Sequence, residues 1–81
     1  MIEKIVFAIN SIIGNNNYCI YKIRESESYY YGEVGLIENN FPFEGMFYYL
    51  SKKDMMPHGF LRTNSNMYKK MIKSKIIYKN T

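Results

Sequence analysis

His58 and Arg62, four positions apart in "MMPHGFLR", are the residues of this chain best suited to acid–base work on a phosphodiester. An imidazole that titrates near neutrality can move a proton, and a guanidinium can neutralise developing charge. With a tyrosine or Glu44 as third group, the set is comparable in residue type to that of small basic endoribonucleases. Any basic chain of this length offers such a trio by chance, so the sequence is read as that of a non-enzymatic protein. A toxin-like endoribonuclease is kept as the second alternative. Metal chemistry has less to draw on: His58 and Cys19 are the single residues of their kinds, with no CxxC or HxxxH partner. No metal and no cofactor is expected, and Cys19 reads as a small core residue on a strand.

Phosphate contact is the stronger chemical signal. Within "NMYKKMIKSKIIYK" a helix places Lys69, Lys70 and Lys73 inside about one hundred degrees of arc, opposite Met67, Met71 and Tyr68. Lys52, Lys53 and Arg62 extend this stripe if the loop that carries them folds alongside. A sheet with exposed tyrosines could then stack single-stranded bases, which makes RNA or DNA binding the first alternative function. The RNA-recognition fold itself does not apply. It runs β-α-β-β-α-β with a Lys/Arg-Gly-aromatic-Gly/Ala-aromatic run, and neither is present.

"ESESYYYGEVG", residues 25–35, supplies the third candidate. Side chains alternate along a strand, so Tyr30 must face away from Tyr29 and Tyr31. Tyr30 is expected to pack under a helix with Val34 and Leu36. Tyr29 and Tyr31, beside Glu33, are left to meet a partner together with Tyr48, and the acidic neighbour points to protein. Tyrosine suits that role because its ring gives contact area for only two torsions.

The elements that must position these groups follow from periodicity. Residues 2–13 have apolar side chains at 2, 5, 6, 9, 12 and 13, one face of a helix, and Gly14 supplies its left-handed end. After the turn "GNNN", strands are expected over 18–25, 29–37 and 46–50, with "SES" as one turn and 38–45 as a loop around Pro42 and Gly45. The links are too short for parallel crossovers, so the strands form an antiparallel meander. Residues 51–64 read as a turn around Pro57 and Gly59, with "FLR" as a short extension. A second helix starts at Asn64 or Ser65, either a sound N-cap. Its β-branched end, "KIIYK", could instead be a fourth strand. The expected architecture is a single α+β domain over residues 1–81: a three-stranded meander flanked by N-terminal and C-terminal helices, α-β-β-β-α.

Composition bounds what such a domain does. At 81 residues, 47% hydrophobic and 22% charged, the chain can bury one core. Ile, Lys, Asn and Tyr make up 38 residues, and all four are read from A/T-rich codons, which hints at a low-GC bacterium, a phage or a mobile element. A lone cysteine, no signal-peptide pattern and no apolar run of membrane-spanning length give a cytoplasmic setting as the expectation. Charge is two-sided: residues 1–50 carry net −3 and residues 51–81 carry net +7. The function expected first is therefore a small intracellular binding protein that occupies a macromolecular surface, as a phage-type inhibitor of a host protein would. A free meander edge could also pair with its copy in a homodimer.

Overall fold

The computed structural model describes residues 1–14, 17–36, 41–60 and 64–80, and side chains within these except at 36, 41–46 and 60. The order is α1 (Ile2–Ile13), β1 (Tyr18–Glu25), β2 (Tyr29–Leu36), β3 (Phe41–Ser51), β4 (Pro57–Phe60), α2 (Asn66–Ile72) and β5 (Lys75–Lys79). All strands pair antiparallel in one sheet of order β4-β3-β2-β1-β5. The fold is α+β, with the expected meander at its centre and one further strand on each side.

α1 lies on one face because its apolar positions recur at helical spacing. Ile5 and Ile9, one turn apart, are fully buried against Ile20, Ile23, Tyr30, Val34 and Leu50. The helix approaches the sheet at Gly32, where a Cβ would sit 2.5 Å from Ile9 Cδ1. Gly14 ends it at φ 62°, with its N–H donated to the Asn10 carbonyl at 3.4 Å. A Cβ at Gly14 would meet open space, so the cost of Gly14→Ala is one of backbone conformation alone. We expect that variant to lose about 1 kcal/mol. Thermal melting would read this as a drop of about 4–8 °C in Tm, and an unchanged Tm would contradict the left-handed cap.

Three expectations are corrected. β3 begins at Phe41, so the later part of the anticipated 38–45 loop is strand, while 38–40, and Ile37, the expected last residue of the second strand, lie outside the described residues. Pro42, opposite Gly35, costs no ladder bond if its missing N–H faces away from β2, since among the described residues β4 pairs only with Phe47–Leu50. The turn placed at Pro57 and Gly59 lies instead at 52–54, where Met55 N–H bonds to the Ser51 carbonyl at 2.8 Å and Met56 N–H to Asp54 Oδ1 at 3.0 Å. Pro57 and Gly59 belong to β4, an edge strand, where a missing N–H costs no ladder bond if it faces outward. Residues 61–63, including the remainder of "FLR", lie outside the described residues.

The third correction shortens the second helix. α2 starts where expected, with Ser65 Oγ accepting from the Tyr68 N–H at 3.1 Å, but ends at Ile72. "KIIYK" is a strand: its β-branched residues let β5 pair with β1, and Ile77 and Tyr78 add to the α1-side core. α2 covers the other face, where Met71 is fully buried on Tyr31 and Phe47, and Met67 and Tyr68 pack alongside. No helix among the described residues is long and apolar enough to cross a membrane.

Candidate functional site

The register divides the candidate residues between the two faces. Tyr31 stands opposite Tyr49 on β3 and Arg24 on β1, and Glu33 opposite Phe47 and Lys22, all on the α2 side. Tyr48 stands opposite Gly32 and packs into the α1-side core, so it cannot join Tyr29, Tyr31 and Glu33 in one contact surface. Tyr31 is only 1% exposed, because α2 lies over it. Glu33 is 8% exposed and lies 3.8 Å from both Lys22 Nζ and Arg24 Nε. The open Tyr29–Tyr31–Glu33 surface expected from alternation is thus not formed. Alternation places residues on a face but cannot show that a helix arriving from forty residues later covers it.

The α2 side carries instead a row of rings that crosses the sheet. Tyr31 and Tyr29 have centroids 6.1 Å apart, Tyr29 and Tyr49 meet edge-on at 5.8 Å, and His58 stacks on Tyr49 at 5.3 Å with 28° between planes. Tyr29 and Tyr49 are half-buried and His58 is exposed, so the row rises from the core at Tyr31 to solvent at β4. Edge-to-face and stacked contacts hold such rings in fixed orientations. Phe47 and Tyr68, edge-on at 5.3 Å, anchor α2 beside the row.

Lys69, Lys70 and Lys73 are all exposed, opposite Met67, Tyr68 and Met71 as the helical arc requires. Among the described residues no carboxylate lies within ion-pairing distance of these three ammonium groups. Lys52, which the sequence groups with them, is placed elsewhere. It donates to Glu25 Oε2 at 2.6 Å and lies 5.0 Å from the Tyr30 ring centroid, on the α1 side. The bond to Glu25 holds its ammonium above the ordinary lysine value. Lys53 is exposed on the 52–54 turn, and Arg62 lies outside the described residues.

The stripe and the row meet at one cleft of about 360 Å³, lined by Ser26, Ser28, Tyr29, Lys70, Lys73 and Ser74, with Tyr31 and Glu27 also reaching it. Its two walls are fixed. On one side the β1–β2 turn is closed by Ser26, whose N–H donates to the Tyr29 carbonyl at 2.9 Å and whose Oγ accepts from the Tyr29 N–H at 3.1 Å. On the other, Arg24 Nη1 donates to the carbonyls of Ile72 and Ser74 at 3.3 and 3.1 Å, tying the end of α2 to β1.

A second surface lies on the opposite side. Phe7 is 77% exposed and Met56 57%, and with Ile12, Ala8, Met55 and Pro57 they line an apolar groove of about 470 Å³ between α1 and the β3–β4 turn. The helical periodicity of α1 gave no reason to single out Phe7, which lies off its core stripe.

Of the candidate set of His58 and Arg62 with a tyrosine or Glu44, the described groups bring together only His58 and Tyr49: Arg62 falls outside them, and of Glu44 only its place on β3 is described. His58 itself is the outermost ring of the row. Cys19 is half-buried, with the Asn80 side-chain amide 3.9 Å from its sulfur, and not a core residue. No family model, curated protein or solved structure matches this chain.

Proposed function

We propose that this chain is a non-catalytic binding protein whose ligand is single-stranded nucleic acid, held along the row Tyr29–Tyr49–His58 and by the lysines of α2. The observation that supports it is the contiguity of the two features: the ring row runs into a cleft whose rim carries Lys70 and Lys73. Rings supply sequence-tolerant stacking, about 1–3 kcal/mol per base, and ammonium groups supply phosphate contacts that weaken with salt. Bases reach such a row only when unpaired. α2 has its apolar side committed to Tyr31 and Phe47 and seven residues in all, which ill suits it to read a duplex groove. Glu33, which favoured a protein partner in the sequence, is buried between two cations and offers no open carboxylate.

Replacing Tyr29 and Tyr49 together by Ala is expected to weaken binding of a fluorescent oligothymidylate about tenfold or more at 0.1 M salt, by anisotropy. Unchanged affinity would remove the row from the site.

A second reading keeps the host-protein partner and moves it to the groove of Phe7, Ile12 and Met56. Large apolar side chains exposed together favour it, since single ones are common on surfaces and contiguous ones are not. It is tested by a pull-down from nuclease-treated lysate: a partner lost on Phe7→Glu supports it, and one retained by that variant contradicts it.

A further inference from the structure

The cleft between the β1–β2 turn and the end of α2 lies at the inner end of the ring row, open to solvent and bounded on the β1 side. Past Tyr31 the next residue across the sheet is Arg24, and its bonds to the Ile72 and Ser74 carbonyls draw the α2–β5 turn over that position. A strand laid along Tyr49 and Tyr29 therefore meets the α2–β5 turn here, which favours its end over its interior. We propose that the cleft is a receptor for a terminal phosphate monoester, so that the protein binds the phosphorylated end of a single strand in preference to its interior. This rests on the nucleic-acid reading above and adds to it which part of the strand is recognised.

The chemistry of the lining fits that group. A monoester carries about −1.5 to −2 charges at pH 7 against −1 for an internal diester, and two ammonium groups, Lys70 and Lys73, rim the cleft. Ser28 and Tyr29 bring hydroxyl groups, while the Ser74 hydroxyl is already donated to the Lys70 carbonyl and that of Ser26 to the Tyr29 carbonyl. About 360 Å³ is room for an end nucleotide and not only for a bare ion. The C-terminal end of a helix repels anions through its free carbonyls. Here three of the last four carbonyls are engaged: Ile72 by Arg24, Met71 by the Ser74 N–H at 2.9 Å, and Lys70 by the Ser74 hydroxyl at 2.8 Å and the Lys73 N–H at 3.3 Å. Among the described residues Glu27 is the one acid that lines the cleft, and it opposes the ligand.

The test compares oligothymidylates ending in 5′-hydroxyl, 5′-phosphate and 3′-phosphate, by anisotropy at 0.1 M salt. The 5′ or the 3′ phosphate is expected to bind about tenfold more tightly than the hydroxyl-ended strand, and which one it is fixes the polarity. Lys73→Ala should bring that ratio close to one, and Glu27→Gln should raise it; circular dichroism verifies that both variants fold. Equal affinity for the three strands would overturn the end site while leaving strand binding intact. A preference that survives in both Lys70→Ala and Lys73→Ala would also overturn it. Failure of all three strands to bind would overturn the end site and the nucleic-acid reading together.

Discussion

Changing Lys69, Lys70 and Lys73 together to Glu is expected to lower affinity for single-stranded nucleic acid by at least about 10² at 0.1 M salt. Each phosphate contact with a single strand contributes about 0.7 to the slope of log affinity against log salt, so three contacts are worth about two decades at one decade below molar. Reversal then adds repulsion. The effect should appear in the slope as well as the affinity: about −2 or steeper for the natural sequence, and near zero for the variant. Because negative charge at the end of α2 also opposes the helix dipole, a triple Gln variant is the control for folding. It too should lose about 10² in affinity. Full affinity in a folded triple Gln variant would exclude the stripe.

Tyr31→Ala is expected to be the most destabilising change among the tyrosines, at about 3–5 kcal/mol, the cost of deleting a large ring from a packed core. A chain of this size has roughly 4–12 kcal/mol in total, so the variant should melt far below the natural protein or fail to fold. The ring is what matters: Tyr31→Phe removes only a hydroxyl 3.4 Å from Ser26 Oγ and should cost about 1 kcal/mol. Tyr29→Ala, at a half-buried position two residues away, should stay folded and lose ligand affinity. Urea unfolding of the three variants separates the roles, and equal losses for Tyr29 and Tyr31 would contradict the burial described here.

How much of this could be read from the residues depends on the range of the interaction. α1, its Gly14 cap, β1 and nearly all of β2 were legible because their determinants are local: an i, i+3, i+4 pattern, a left-handed glycine, β-branched and aromatic runs. The placement of Tyr30 and Val34 under a helix was legible for the same reason. Pro57 and Gly59 misled because turn residues are also tolerated on an edge strand, and only the pairing shows that β4 is one. Ser51 and Asp54, which make the real turn, were the signal that could have found it. The lysine stripe was legible from helical arc alone. The ring row was not, since it joins residues from β2, β3 and β4 whose alignment exists only once the register is set. Nor could the sequence show that Lys52 would be drawn to Glu25 and away from the other lysines.

Strand binding on the α2 face is the claim on which the rest depends, and amide chemical-shift mapping with an oligothymidylate of about ten nucleotides, a length suited to a site of this kind, tests it most directly. The expected result is a set of saturable shifts confined to residues 26–31, 47–49, 58–59 and 66–75, fading as salt is raised. Shifts centred instead on Phe7, Ile12 and Met56, or no shifts at low salt, would contradict it.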